Sequence, residues 1–293
     1  MNGKSITRLL IVLVVLVGVF LVVKFTGNSG RSESFRSDLV DVDVDKVTKV
    51  EILSTQDTTL LEKQGDDWKV DGKYVADEAT VKAMIQNLEN IQPSRLASRS
   101  EDSWKDFQVD DSGTRVIVHE GNDKTLDIVL GRFNVSGQRS YHSYVRLSDD
   151  KDVYVADNFM KMSISQGANA YRNDDVLRLE KDSVESIAFN YPDSGFVLEQ
   201  GMSGWEVAGA LADSASVANY LQGLRYLNSR KFTDATQGSA LYDVKFTLKD
   251  GSNASISAYS NGAFTSSQNQ EYWEDEAVSE KVFKAKKNFL SKN

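Results

Sequence analysis

The spacing of apolar and polar residues in this chain follows one pattern twice, over residues 47–96 and again over residues 184–232. Each copy has two short alternating segments that predict strands, then a turn and a tryptophan, then an aspartate before apolar residues at helical spacing. The corresponding residues are Val47 and Val184, Val50 and Ile187, Leu61 and Leu198, Trp68 and Trp205, Val70 and Val207, and Asp77 and Asp213. Such self-similarity predicts two homologous modules in tandem.

Each copy contains a predicted helix with one apolar face. The stripes are Val81, Met84, Ile85, Leu88 and Ile91 in the first copy, and Val217, Tyr220, Leu221, Leu224 and Leu227 in the second. Asp77 is the expected N-cap of the first helix, and Pro93 is expected to stop it. Because an apolar helix face is buried against a sheet, we expect an α+β fold in which each module is an antiparallel sheet packed with one amphipathic helix. Trp68 and Trp205 are expected in the core.

Further alternating segments predict meander hairpins after each repeat. They are residues 114–119, 126–130, 141–147 and 153–156 in the first module, and 241–248, 254–259 and 270–273 in the second. The second module has no counterpart of residues 104–109. The chain is expected to end in a helix that places Val278, Val282, Ala285 and Phe289 on one face.

An unbroken apolar run extends from Leu9 to Val23, between Arg8 and Lys24. A helix over residues 6–25, at about 1.5 Å per residue, is long enough to span a bilayer core of about 30 Å. We therefore predict a single transmembrane anchor. A cleaved signal peptide is the alternative, although only residues 27–29 resemble a cleavage site, and only weakly.

The charges beside this run predict its orientation. Lys4 and Arg8 precede it and Lys24 follows it, so residues 1–5 are expected in the cytoplasm and the C-terminal domains in the periplasm or outside. The predicted localisation is the inner (cytoplasmic) membrane. Residues 26–37 are rich in Gly, Ser and charge and predict a flexible tether, which leads to module one over 38–170 and module two over 171–293.

Three alternating aspartates, Asp41, Asp43 and Asp45, raise the question of a calcium loop. The sixth position of that loop would be Lys46 where Gly is needed, and the twelfth would be Ile52 where a bidentate Glu is needed. We interpret the segment as a solvated strand or a linker, and no metal is expected.

Composition narrows the possible functions. The formal net charge is −9, and without the three cations of residues 1–25 it is −12. Such a body repels phosphate, so no nucleic acid partner is expected. Cysteine is absent, which excludes disulfides, thiolate nucleophiles, Cys-based zinc sites and a lipidated cysteine.

No catalytic pattern stands out in either module. The two histidines, His119 and His142, lie in predicted strands without a second ligand at metal-binding spacing. Nucleophile-elbow, phosphate-loop and dinucleotide motifs are missing. Acidic groups such as Glu101, Asp102 and Asp106, or Glu274, Asp275 and Glu276, are interpreted as solvated helix starts. We therefore expect no catalytic, cofactor-binding or metal-binding residues, no cofactor, and no enzymatic activity.

One charged cluster allows two interpretations. The predicted C-terminal helix contains Lys281, Lys284, Lys286, Lys287 and Lys292. Cations stabilise the negative end of a helix dipole, which is the simpler explanation. The alternative is a contact with anionic lipid or with an acidic partner.

Taken together, these segments resemble a bacterial domain-of-unknown-function family, number 4340. The resembling segments are Trp68-Lys69-Val70, Tyr74-Val75-Ala76-Asp77, Asp127-Ile128-Val129-Leu130-Gly131, Tyr144-Val145-Arg146, Val153-Tyr154-Val155, and Tyr171-Arg172 leading to Val176-Leu177. The chain departs from the family where Gln108 and Val109 follow Phe107, since the family tends to have a Gly after an aromatic residue and then a Pro. The resemblance implies a membrane-anchored, duplicated protein associated with ABC-type transporters of the gliding-motility kind.

Three functions remain from the sequence. The first is a non-catalytic accessory subunit that binds a partner protein or the transported substrate. Its partner would be the permease of an ABC transporter or an associated extracytoplasmic subunit, as the resemblance implies. The second is an envelope scaffold or ligand-binding protein that acts without a transporter. The third is an enzyme of unrecognised type, for which His119, His142 and Arg146 are the residues to substitute.

Overall fold

The structure is a computed structural model that describes residues 36, 38–137, 140–164, 166–234 and 238–291. The predicted cytoplasmic N-terminus and the predicted anchor over residues 6–25 lie outside these residues, as does nearly all of the predicted tether. Within the described part of the chain, no helix has the length and apolar character needed to cross a membrane.

Antiparallel strands dominate the described residues, so the predicted α+β class is wrong. The strands are β1 (Val47–Leu53), β2 (Thr58–Gln64), β3 (Asp67–Val70), β4 (Tyr74–Val75), β5 (Pro93–Ser98), β6 (Thr114–Glu120), β7 (Asp123–Val135), β8 (Tyr141–Leu147), β9 (Val153–Asp157), β10 (Asp175–Arg178), β11 (Val184–Asn190), β12 (Phe196–Gly201), β13 (Gly204–Val207), β14 (Ala210–Leu211), β15 (Tyr226–Asn228), β16 (Tyr242–Leu248), β17 (Asn253–Ala258), β18 (Phe264–Ser266) and β19 (Asn269–Trp273). The α-helices are α1 (Glu78–Glu89), α2 (Trp104–Phe107), α3 (Ser214–Leu224) and α4 (Glu276–Val282). Only α1 and α3 are longer than two turns among the described helices. The prediction failed because short segments pair as additional strands, and because the predicted C-terminal helix ends at Val282.

The described residues form two compact units. The first holds the described residues of Met1–Thr59 and Lys82–Ser165, and the second holds those of Leu60–Val81 and Gln166–Asn293. Residues 60–81 belong to the second unit through main-chain bonds: Asp77 N donates to Tyr171 O at 2.8 Å, and Asn173 N donates to Val75 O at 2.9 Å. The predicted modules, 38–170 and 171–293, are defined by the repeat and not by this compactness, and their boundaries stay a prediction.

The first unit is built on an antiparallel meander in the order β1-β6-β7-β8-β9-β5. Alternation explains the strands, since Thr114, Val116 and Val118 of β6 are buried and the residues between them are more exposed. The segment around α2 covers one face of the meander. Val109 of that segment is fully buried and packs with Val129 of β7.

The second unit contains the hairpin series β4-β3-β2, the two-stranded pair β10-β15 and an eight-stranded sheet. The order in the large sheet is β14-β13-β12-β11-β16-β17-β18-β19, with antiparallel pairing throughout. One face of that sheet contributes Ile187, Phe246 and Ile256 to the core of the unit, which also includes the buried face of α3.

The two repeats have the same local geometry. Leu61 pairs with Val70 in the first hairpin, as Leu198 pairs with Val207 in the second. In each copy the tryptophan carbonyl accepts a bond from an alanine: Ala76 N to Trp68 O is 2.9 Å, and Ala212 N to Trp205 O is 2.8 Å. Trp68 is buried, whereas Trp205 is half-buried and packs against the core of its unit.

The helix caps are those expected from the sequence. Asp77 Oδ1 accepts from Thr80 N at 2.6 Å, and Asp213 Oδ2 accepts from Ser216 N at 3.0 Å. The strand after each helix has a different partner in the two copies, because β5 pairs with β9 whereas β15 pairs with β10.

Of two local predictions, the one that left the aspartate segment open between a strand and a linker keeps only the linker, and the one for the C-terminal helix is wrong. The alternating aspartate segment before β1 is irregular, although Leu39 and Val42 are buried. The predicted C-terminal helix ends at Val282, and a separate 3-10 turn follows over Lys286–Phe289. Between them the chain is extended, with φ −80° and ψ 152° at Ala285. As a result Phe289 is buried by a change of chain direction and not by helical spacing.

Candidate functional site

A cavity in the second unit is bounded by α3 and by the C-terminal segment, residues 276–291. Helix α3 buries Val217, Tyr220, Leu221 and Leu224 in the core. This spacing gives the helix one apolar face. Residues on the border of that face, among them Gly223, are left to line the cavity.

The C-terminal segment is fixed to α3 by apolar contacts and by hydrogen bonds to its main chain. Val278, Val282 and Phe289 are buried. The Tyr220 hydroxyl donates to Val282 O at 2.8 Å, and Asp213 N donates to Phe289 O at 2.8 Å. The N-terminal end and the middle of α3 are therefore joined to the last described residues of the chain.

The cavity has a volume of about 370 Å³. Its lining residues are Ser216, Asn219, Tyr220, Gly223, Leu224, Lys281, Lys284, Asn288 and Phe289. A second, adjoining cavity of about 680 Å³ shares Ser216 and Asn288 with the first and is lined also by Lys287. The cavity thus combines an apolar floor, formed by Tyr220, Leu224 and Phe289, with a cationic rim that includes Lys281 and Lys284.

The rim of the first cavity is positively charged, and the one carboxylate that lines the adjoining cavity, Asp213, accepts hydrogen bonds from Ser216 as the cap of α3. Among the described residues, no carboxylate oxygen lies within 4.0 Å of the Nζ of Lys281, Lys284 or Lys287. Burial raises the pKa of the Tyr220 hydroxyl well above its ordinary value, and the neighbouring Tyr191 adds to that rise. Tyr220 therefore remains a neutral hydrogen-bond donor, and the charge of the cavity comes from its lysines.

The chemistry of the lining favours binding. The residues that line the first cavity include no carboxylate and no imidazole, which are the commonest groups for general acid–base catalysis. An apolar floor with a few polar groups at its edge is the usual composition of a ligand pocket.

The residues considered for catalysis have structural partners instead. His119 Nε2 lies 3.2 Å from Glu51 Oε1, and Lys49 forms an ion pair with the same carboxylate at 2.8 Å. The Lys49 hydrogen bond is the main reason that the pKa of Glu51 is lowered. His142 is buried, with its ring edge against Tyr144.

Arg146 is buried and holds a loop in place. Its Nη1 donates to the carbonyls of Leu147, Ser148 and Asp150 at 2.9–3.1 Å, and its Nε donates to Val109 O at 3.1 Å. The guanidinium also lies 3.8 Å from the centre of the Trp104 ring. The Nη1 bonds fix the turn after β8, and the contacts with Val109 and Trp104 hold the segment that covers the first sheet, so Arg146 has a structural role.

The acidic groups do not converge on a metal site. Across the described ranges, no three His, Cys, Asp or Glu side chains are placed to hold a metal ion. Burial would raise the pKa of Asp275, but hydrogen bonds from Lys231 (2.9 Å) and Ser229 (2.9 Å) outweigh it and keep the pKa low. Asp275 is therefore an ionised structural residue.

Sequence reasoning missed a buried ion pair in the second unit. Arg172 and Glu271 are 5% and 6% exposed, and Arg172 Nε donates to Glu271 Oε1 at 3.2 Å while Nη2 bonds the other oxygen. The guanidinium lies between two rings, 3.5 Å from the centre of Tyr74 and 4.0 Å from that of Phe232. The motif Tyr171-Arg172 was visible in the sequence, but Glu271 is 99 residues away and nothing in the sequence pairs the two.

Fold and site together define a sheet-rich protein of two compact units, with a lysine-rimmed cavity in the second. Residues 68–245, more than half of the chain, match the model of the domain-of-unknown-function family DUF4340. The chain belongs to this family, and the resemblance found in the sequence is confirmed. No curated protein and no solved structure matches the chain.

Proposed function

We propose that this protein is a non-catalytic accessory subunit of an ABC-type transporter, held at the inner membrane by residues 6–25. Its two compact units lie outside the cytoplasm and bind a partner protein or the transported substrate. The partner is the permease or an extracytoplasmic subunit that accompanies it.

The observation that carries this proposal is the cavity beside α3. It combines an apolar floor with Lys281 and Lys284, and its lining contains no acid–base pair. A cavity of this kind holds a ligand or an anchoring side chain without transforming it. The structural partners of His119, His142 and Arg146 also support a binding role.

Two features support the membrane and transporter part of the proposal. The apolar run from Leu9 to Val23 is long enough for one span. Family membership is shown, and the sequence resemblance connects this family with gliding-motility-type ABC transporters.

The test is purification of the full chain from bacterial membranes in mild detergent, followed by identification of stoichiometric partners by mass spectrometry. We expect a permease and its ATPase to co-purify with the chain. Lys281→Gln with Lys284→Gln should weaken the association if the partner itself enters the cavity, and should leave it unchanged if the cavity takes the substrate. A chain that purifies without a stoichiometric partner contradicts the proposal.

A matched control keeps the charge change the same. Lys181→Gln with Lys245→Gln removes two exposed lysines from the same unit, and neither residue lines the cavity. This variant should retain the partner to the same extent as the native chain. Equal loss in both variants would show a non-specific effect of charge.

A ligand-binding or scaffolding role in the envelope, without a transporter, is the second candidate. The face of the large sheet opposite its core carries polar side chains, among them Ser186, Thr247 and Asn253 in cross-strand register. Such a face suits a hydrated polysaccharide. Co-sedimentation of the full chain with purified peptidoglycan, in the absence of any co-purifying transporter, would favour this role.

A further inference from the structure

We propose that the cavity between α3 and the C-terminal segment binds a small amphipathic anion, with one short acyl or aryl group and a carboxylate or phosphate. This inference rests on the proposed binding function and deepens it by naming the class of ligand. It is carried by the shape of the cavity, by its charge and by one glycine.

The apolar part of the ligand is matched by the floor of the cavity. Tyr220, Leu224 and Phe289 line it, and the Tyr220 hydroxyl already donates to Val282 O. The volume of about 370 Å³ lies toward the lower end of the range of roughly 300–1,000 Å³ for small-molecule pockets. This space suits a chain of about eight carbons better than a full-length lipid tail.

Gly223 makes part of this room. It lies in the last turn of α3, and a Cβ placed on it would meet no atom within 4 Å. A glycine inside a helix destabilises it by about 0.5–1 kcal/mol relative to alanine. Since no neighbouring atom would clash with a side chain at position 223, close packing does not explain the glycine. The open space beside Gly223 belongs to the cavity.

The charged part of the ligand is matched by the rim. Lys281 is exposed and Lys284 is half-buried, and both line the cavity. Lys287 lines the adjoining one. With no carboxylate within 4.0 Å of these three lysines in the described part of the chain, their charge is available to an anion. A protein with a formal charge of −9 therefore presents a local positive site that selects anions and repels cations.

The experiment uses the full chain in nanodiscs of zwitterionic phosphatidylcholine, with empty nanodiscs as the blank. Octanoate and octyl phosphate are the anionic probes. Octylamine and octyl glucoside supply the same chain with a positive and a neutral head. Saturation-transfer NMR and isothermal titration measure binding. We expect saturable binding of the two anions, at least about tenfold tighter than binding of the cation or the neutral probe.

Two variants test the two halves of the cavity. Gly223→Leu fills the space, and Lys281→Gln with Lys284→Gln removes the rim charge; each should weaken octanoate binding at least about tenfold. Their controls are Gln222→Leu on the exposed neighbour and Lys181→Gln with Lys245→Gln, which should bind as the native chain does. Gly223→Ala should fold at least as stably as the native chain, which shows that position 223 tolerates a side chain.

Several results would overturn the inference. One is binding of octylamine as tight as that of octanoate, and another is octanoate binding that is unchanged in Gly223→Leu. A third is a lysine-dependent signal found only when the nanodisc contains phosphatidylglycerol, which would show that the lysines contact the bilayer. The two proposals fail separately. If a transporter co-purifies with the chain but the chain does not bind octanoate, only the ligand class is overturned. If the chain binds octanoate but purifies without a transporter, the ligand class is supported and the transporter proposal is contradicted.

Discussion

Removing one partner of the ion pair between Arg172 and Glu271 is expected to destabilise the second unit strongly. Replacement of Glu271 by Gln keeps the shape of the side chain and removes its charge. The buried guanidinium then loses the carboxylate that is hydrogen-bonded to it, and breaking a buried pair costs about 3–5 kcal/mol. The introduced amide would still accept one hydrogen bond, and Tyr74 and Phe232 still face the cation at 3.5 and 4.0 Å. We therefore expect a loss of about 2–4 kcal/mol.

Arg172→Met should cost about as much, because it leaves the Glu271 carboxylate buried and unpaired. The double variant Arg172→Met with Glu271→Gln should be less destabilised than the sum of the two singles by at least about 2 kcal/mol, since no uncompensated charge remains. This non-additivity is the signature of the pair.

Native-state hydrogen exchange of the full chain measures these losses locally, in the amides of β18 and β19. A loss of about 3 kcal/mol would accelerate exchange roughly 150-fold. The control is Glu180→Gln, which breaks the exposed pair with Arg225 (3.0 Å, side chains 63% and 41% exposed) and should cost less than about 1 kcal/mol. Additive losses in the Arg172 and Glu271 variants, or losses no larger than that of Glu180→Gln, would refute the reasoning.

Three further predictions concern charge and backbone strain. The hydrogen bond from Arg115 holds the pKa of Asp127 at about 2, below its ordinary 3.8. The ionised Asp127 therefore stabilises the fold above about pH 4, and this contribution disappears as the pH falls through 2. Asp127→Asn should lower the free energy of unfolding by about 1 kcal/mol at pH 6 and by almost nothing near pH 2, measured by urea unfolding at low salt. Gln108 has φ 56° after α2, a left-handed conformation that suits glycine. Gln108→Gly should therefore raise the melting temperature of the first unit by about 2–4 °C, and a lower melting temperature would exclude strain at this position. Ala208 has φ 51° in the turn between β13 and β14, so Ala208→Asn should stabilise the turn by about 0.5 kcal/mol, with slower exchange of the β14 amides as the readout.

The long strands were predictable because burial alternates along them. Strand β11 is found where the second copy of the repeat begins, and its residues Val184, Ile187 and Phe189 are buried while Glu185 and Asn190 are exposed. Strands of two or three residues, such as β14, have no periodicity to detect. They exist because a tight turn returns the chain beside a strand already in place. These additional strands are one reason why the predicted balance of helix and sheet was wrong.

The departure of the sequence from its family at Gln108 has a structural explanation. Gln108 ends α2 in the left-handed region, with φ 56° and ψ 37°. This is the position at which many helices end in glycine. The unfavourable conformation is held by the next residue, since Val109 is fully buried and its carbonyl accepts from Arg146. The sequence showed the missing glycine but could not show the guanidinium that compensates for it.

The cavity was beyond prediction because it depends on where a helix stops. The lysine-rich end of the chain has neither Gly nor Pro, so helical spacing alone continues the helix to Phe289. In the structure the Asn288 side chain instead accepts from Ala285 N at 3.0 Å and starts a separate turn. The Asp213 amide of α3 then bonds the carbonyl of Phe289. The lysines were visible in sequence, whereas the apolar floor beneath them required this change of direction.

Comparison of the two repeats indicates where a binding role would have arisen. Gly223 of α3 corresponds to Asn87 of α1, so the helix of the first copy has a side chain where the second has open space. The first module instead contains the segment around α2, whose Trp104 and Val109 cover one face of its sheet. Caps, hairpins and tryptophans are common to both copies and therefore reflect folding. Gly223 lies in the second copy and the lysine rim lies in the second module, so the features that support the proposed binding role are both found outside the first copy.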